Sequence, residues 1–208
     1  HCLLRRQRQM CIRDSTKSLQ DDKTLAALNI SVLALMYSEE TRHKAKDYTY
    51  QAEIDFLISH EKRNNFIRNL ALDQKGNTLV LFQRVANHGK ILFDLIDTKA
   101  EEGRKVFFVS GQTETSDREA IRKIVEKQNG AIIVASLGTF STGINIRNLH
   151  NIIFASPSKS QIKVLQSIGR GLRKADDGRD TRLFDIADDL RWKRRNNYTL
   201  SHSTERIR

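Results

Sequence analysis

Gln166-Ser-Ile-Gly-Arg170-Gly-Leu-Arg173 sets three polar side chains at i, i+4 and i+7. On a helix, all three would project from one face. The two guanidinium groups are planar, permanently charged and able to bond bidentately, so Arg170 and Arg173 suit phosphate oxygens. Gly169 and Gly171 remove side chains where a ligand or another backbone must come close. Two arginines alone also read as a solvated basic helix end, so the choice rests on the rest of the chain.

From Thr78 onward, short apolar runs alternate with helical stretches. The runs are TLVLF (78–82), KVFFV (105–109), AIIVA (131–135), NIIFA (151–155) and a strand over 181–186. Helices are predicted over 89–100, 116–128 and 160–168, the second opening with the capping box Ser116-x-x-Glu119. Continuously apolar strands separated by helices indicate an α/β fold with a mainly parallel sheet covered on both faces. Upstream, 19–28 reads as a short helix and NISVLALM (29–36) as a buried strand, followed by a solvated turn at Ser38-Glu39-Glu40. One long helix is predicted over 49–72, with Ile54, Leu57, Ile58, Phe66, Ile67 and Leu70 inward and Glu61, Lys62 and Arg63 outward.

Ligands of an open parallel sheet bind beyond the carboxyl ends of its strands. Four loops lie there: Gln83, Arg84, Asn87 and His88; Ser110, Gly111, Gln112 and Thr113; the stretch from Ser136 through Thr139 and Gly143 to Asn145; and Ser156 to Lys159. Their small hydroxyl and glycine residues can present N–H and O–H groups to phosphate oxygens, although the same residue types also make ordinary turns.

A formal charge of +11 across 208 residues points to a polyanionic partner, nucleic acid ahead of a membrane surface. No run nears the roughly 18 apolar residues of a membrane span. Cys2 and Cys11 are too few for a disulfide scaffold or a Cys-based zinc site. Residues 1–15 hold four arginines against one acid, without periodicity, and are set aside as a non-native extension, a basic arm on nucleic acid being the alternative. Without them the charge is still +8. There is no GxxxxGK[ST] loop, since Lys90 is followed by Ile91 and Arg84 stands where the first glycine belongs. His43, His60, His88 and His150 fall in no metal-ligand spacing, and no metal site is expected. Asp185, Asp188 and Asp189 are expected to cap and to pair with arginines.

Together these residues resemble the second RecA-like lobe of superfamily 2 helicases. Gln166 to Arg173 fits that family's motif VI, QxxGRxxR, and 135–146 with Thr-Gly-Ile-Asn at 142–145 resembles motif V. TLVLF with its loop resembles motif IV, and Ser110-Gly111 through Arg118 resembles motif IVa. More narrowly, GTFSTGINIRNLHNIIFASPSKS, VLQSIGRGLRK, RNNFIRNLA and FDIADDL resemble the recombination and repair helicases of T-even-like phages, over about 16–208.

The resemblance implies a RecA-like three-layer fold and the C-terminal motor lobe of an ATP-dependent DNA helicase acting on branched recombination, repair or stalled-fork DNA in the cytoplasm of a bacterial host. Arg170 would be the arginine finger, Arg173 a second phosphate or interlobe contact, and Gln166 an orienting group. Gly143, Asn145 and Gly169 would lie near the nucleotide, although many relatives have Asp in place of Asn145. Gly111, Gln112, Thr113, Ser136 and Thr139, with Arg84 and His88 from the motif IV loop, would contact the DNA backbone. ATP with Mg2+ would be held mainly by a first lobe whose phosphate loop and DExx site this sequence lacks, so the chain alone is expected not to hydrolyse ATP. The implied organisation is a lead-in at 16–75, the lobe at 76–192 and a truncated basic tail at 193–208. A non-catalytic nucleic-acid-binding module and another superfamily 2 translocase are the alternatives.

Overall fold

The computed structural model describes residues 8–9, 28–141, 146, 148–157 and 180–207. Six strands, β2 (Leu28–Met36), β3 (Thr78–Phe82), β4 (Val106–Val109), β5 (Ile132–Ser136), β6 (Asn151–Phe154) and β7 (Thr181–Asp189), pair in parallel; the two-residue β1 (Arg8–Gln9) adds antiparallel to β2. The sheet order is β1-β2-β7-β6-β3-β5-β4.

β3, β5 and β6 are buried along their whole length and mostly apolar, because both faces of each are covered. Alternation sends Leu79, Leu81, Ile133, Ala135, Ile152 and Phe154 to one face, with Val125, Leu137 and Phe140 over them. Val80, Phe82, Ile132, Val134 and Ile153 go to the other, under Ile67, Ala71, Leu92 and Ile96. The covering helices are α3 (Glu61–Asp73) and α4 (Lys90–Asp97) on the second face, and α5 (Thr115–Glu126) with the short α6 (Leu137–Ser141) on the first. The three-layer architecture expected from the apolar runs is therefore present.

Local chemistry changes several boundaries. Ser38 opens a helix rather than a solvated turn: its hydroxyl accepts from Thr41 N–H, and Glu39 and Glu40 occupy the favourable first turn of α1 (Glu39–Ala45). The predicted helix over 49–72 is two, α2 (Tyr50–Ser59) and α3, divided at His60. His60 leaves helical geometry (ψ 108°) and its Nδ1 accepts from Arg63 N–H, an imidazole doing the work of an N-cap. Arg63 consequently turns inward instead of to solvent. The capping box at Ser116 does not form. α5 begins one residue earlier, after Glu114, and Glu119 bonds Arg122.

Asn77, fully buried, holds the opposite edge of the sheet. Its amide donates to the carbonyls of Val125, Gln128 and Asn148, and its Oδ1 accepts from Gly130 and Ala131 N–H. One side chain thus fixes the starts of β3 and β5, the approach to β6 and the end of α5, satisfying backbone groups that burial would otherwise orphan. The chain closes with α7 (Tyr198–Ile207), where the basic tail was expected. The predicted helices over 19–28 and 160–168 fall outside the described residues but for Leu28, which starts β2.

Candidate nucleic-acid interface

Parallel register brings three of the four loops to one level. Leu81 pairs with Ala135, and Ala135 with Val109, so Phe82 and Ser136 end their strands level with Ser110, the first residue after β4. At about 4.8 Å between neighbouring strands, the loops after β3, β5 and β4 span roughly 10 Å of edge.

The β4 loop is laced from within. Ser110 N–H donates to Thr113 Oγ1 (2.9 Å), Thr113 N–H returns to Ser110 O (3.0 Å), and Gln112 N–H donates to Ser110 Oγ (3.3 Å). Arg118, one turn into α5, clasps it from behind: Nε donates to Thr113 O (2.8 Å) and Nη2 to Gly111 O (3.3 Å). Gly111 and Gln112 are left at the exposed tip, with Thr113 half-buried. Among the described residues, apart from its own chain neighbours, none comes within 4 Å of where a Gly111 Cβ would stand, so a strand can approach that backbone closely. The positive end of the α5 dipole follows directly, which favours an anion at this loop.

Ser136 and Thr139 are turned inward. Their hydroxyls bond each other at 2.6 Å, and Thr139 N–H donates to Ser136 Oγ (3.4 Å), starting α6 where sequence reasoning read a loop. Both are almost buried, so here they shape the β5 loop rather than face solvent. Ser156, beyond β6, accepts from Gln83 N–H (2.8 Å) and joins that loop to the one after β3.

The β3 loop departs most from expectation. Val85–Gly89 is a π-helical turn closed by Gly89 N–H to Arg84 O (2.9 Å). A Cβ on Gly89 would overlap the Phe82 ring, so only glycine permits this return onto the sheet. The turn drives His88 inside. It is 0% exposed, neither ring nitrogen has a hydrogen-bond partner among the described residues, and burial, aided by the nearby Arg63 charge, lowers its pKa to about 3. The expectation that His88 faces DNA is thereby corrected: a neutral imidazole beneath the surface offers nothing to phosphate. Arg84 remains at the surface, with its Nη1 paired to Asp55 of α2, so a phosphate there would have to displace that carboxylate.

Behind this edge lies an ion pair that sequence reasoning missed. Arg63 Nε donates to both oxygens of Asp188 (2.9 and 3.1 Å), and Tyr37 O–H donates to Asp188 Oδ1 (2.8 Å). Burial works against the Arg63 charge, but Asp188 and then Tyr37 outweigh it and raise its pKa. The aspartate partnership with arginine anticipated for the end of β7 is met at Asp188, and at Asp189 through Arg191. The helical register of Arg63 gave no signal, because the break at His60 rotates it inward. Gln166, Gly169, Arg170 and Arg173, with Gly143 and Asn145, lie outside the described residues. Among the described residues, no group of three or more His, Cys, Asp or Glu is placed to hold a metal ion, and no helix is long and apolar enough to cross a membrane.

A parallel sheet with glycine- and hydroxyl-bearing loops at its carboxyl edge is common to many nucleotide and nucleic-acid proteins; the match to known families is what narrows it. Residues 61–175 match the helicase conserved C-terminal domain. This chain belongs to that family. It is 39% identical over 206 residues to the ATP-dependent DNA helicase uvsW of Enterobacteria phage T4, covering 93% of this chain and 40% of that protein. The crystal structure of T4 UvsW superposes with a TM-score of 0.75 at 38% identity, over 86% of this chain and 38% of that one. The chain thus spans about two-fifths of the length of its phage relative. The Sulfolobus solfataricus SWI2/SNF2 ATPase core domain, 15% identical with a TM-score of 0.54 over 86% of this chain and 43% of its own, shares the fold. The RecA-like assignment rests on these superpositions.

Proposed function

We propose that this chain is the C-terminal motor lobe of an ATP-dependent, UvsW-like DNA helicase acting on branched recombination, repair or stalled-fork DNA. The observation that carries the proposal is 39% identity, across nearly the whole chain, to a protein that is itself an ATP-dependent DNA helicase. The carboxyl-edge loops support it, with Gly111 and Gln112 exposed on a rigid scaffold. In this reading Gly111, Gln112 and Thr113 grip one strand through its sugar-phosphate backbone, a sequence-independent and salt-sensitive contact. Ser136 and Thr139 hold the neighbouring loop, and Arg84 joins once released from Asp55.

Arg170 serves as the arginine finger toward ATP and Mg2+ held mainly on the other lobe, with Arg173 and Gln166 beside it and Gly143, Asn145 and Gly169 near the nucleotide. The bound nucleotide supplies the phosphoryl group whose transfer drives movement. This lobe contributes charge to stabilise that transfer.

The test joins this chain to the N-terminal remainder of the T4 relative and measures DNA-stimulated ATP hydrolysis and strand separation on forked DNA. Arg170→Ala is expected to lower kcat by about a thousandfold or more, the usual worth of such a finger. An unchanged rate would reject the finger, and hydrolysis without strand separation would favour a translocase.

A further inference from the structure

The basic stretch after β7 is a built surface. Trp192 and Arg195 exchange backbone hydrogen bonds in both directions (3.2 and 3.0 Å), closing a tight turn whose central residues are Lys193 and Arg194. Lys193 has φ 54°, the only positive φ outside glycine among the described residues. That conformation costs a non-glycine residue on the order of 1 kcal/mol or more, and glycine is its usual occupant. A lysine held there keeps its charge at the tip of the turn. The turn is braced against α1: the Trp192 and His43 rings meet edge to face at 4.9 Å, and Lys46 Nζ donates to His43 Nε2 at 3.4 Å.

Lys44, Lys46, Lys193, Arg194 and Arg195 are all exposed around this brace. The acids nearby are Asp189, committed to Arg191, Asp47, 3.9 Å from Lys46, and Glu39 and Glu40, exposed in the first turn of α1 at the end away from Lys46. Since β2 and β7 run parallel to β3, β5 and β4, α1 and the turn emerge on the same edge as the β3–β5 loops. Sheet order sets α1, which follows β2, three strand spacings from β3 and five from β4, about 14 and 24 Å, and the turn, which follows β7, two and four, about 10 and 19 Å.

From this geometry we infer that the Trp192–Arg195 turn and the end of α1 form a second DNA-backbone site, which holds a different arm of a branched substrate from the strand on the β3–β5 loops. The inference rests on the DNA reading above and adds which part of the substrate this face takes. Point charges on separate elements around an aromatic brace fit successive phosphates, and they lie to one side of the loops after β3, β5 and β4, with the end of β6 between.

The experiment measures binding of this chain to labelled forked DNA and to a single-stranded oligonucleotide as a function of salt. The variant Lys193→Gly/Arg194→Ser/Arg195→Ser removes three charges while supplying the residue the turn conformation prefers, so its thermal midpoint is expected to be equal or higher. On forked DNA, its slope of log affinity against log salt should become shallower by about 2 to 3, at roughly 0.9 for each phosphate no longer neutralised. Its single-strand binding should be unchanged. Lys46→Gln should lower the fork slope by about 1 by the same rule. Unchanged fork binding, or equal weakening on both DNAs, would overturn the second site. A wild-type chain that binds neither DNA would overturn the DNA reading itself, whereas wild-type binding weakened by Gln112→Ala but not by the triple variant would leave that reading standing and remove only the second site.

Discussion

The Arg63–Asp188 pair shows how much one side chain can commit. Both groups are 0% exposed, and Arg63 Nη1 and Nη2 have no hydrogen-bond partner among the described residues. A buried pair gains less than its short distances suggest, because both charges have left water, but removing one partner strands the other. Arg63→Leu is therefore expected to cost about 3–5 kcal/mol in urea unfolding. The double variant Arg63→Leu/Asp188→Leu should recover most of that loss. If it is as unstable as the single variant, the cost is a packing cost and the ionic account is wrong. Tyr37→Phe, which removes only the hydroxyl bonded to Asp188, should cost about 1–2 kcal/mol.

Among the elements, α7 is held by an unusual device. Glu53 of α2, 2% exposed, accepts at Oε1 from Thr199 N–H (2.8 Å), Thr199 Oγ1 (2.6 Å) and Asn197 Nδ2 (2.8 Å), and at Oε2 from Tyr198 N–H (3.0 Å). A carboxylate from another helix thereby satisfies the first N–H groups of α7 and complements its dipole. Ser203, from the next turn, reaches Asp185 of β7 (3.3 Å). Glu53→Ala is expected to release α7 before the rest of the molecule. Hydrogen exchange should show reduced protection across 198–207 while the amides of β3 and β5 keep theirs. A uniform fall in protection would mean that α7 is part of one cooperative core. The same scale explains the β4 loop: Arg118 lies on α5 but fixes Gly111 and Thr113, so the helix positions the exposed tip of that loop.

At the scale of the whole molecule, stability carries a pH signature. His88 is buried without partners and its pKa is lowered to about 3 from 6.5. His60 is lowered as well, by burial first, and its unprotonated Nδ1 is needed as the cap of α3. Between pH 6.5 and about 3, the unfolded chain binds a proton at His88 that the folded chain refuses. The corresponding stability is complete above 6.5 and is lost as pH falls, at no more than about 1.4 kcal/mol per unit for this site. His88→Leu should be neutral or stabilising at pH 7 and should flatten the fall between pH 6.5 and 4.5, measured as the shift in urea midpoint relative to wild type. A variant with the wild-type pH slope would place the titration elsewhere.

Residue order alone determined the layers of this protein and the edge to which its strand-end loops are delivered. Four consecutive apolar residues in TLVLF and in IIVAS can be buried only if both sheet faces are covered, and parallel strands then deliver their loops to one side. The family was legible too, since QxxGRxxR and the segments around it are local strings whose meaning survives without coordinates. Other features depended on contacts between residues far apart in the chain. Arg63 meets Asp188 across 125 residues and Glu53 meets Thr199 across 146, and neither pairing leaves a trace in local periodicity. His88 was placed at the right loop but on the wrong side of its surface, because a π-helical turn and Gly89 packed on Phe82 rotate it inward. Short-range pattern encodes which face of an element is apolar; which polar groups are taken out of water is decided only when the elements close over them.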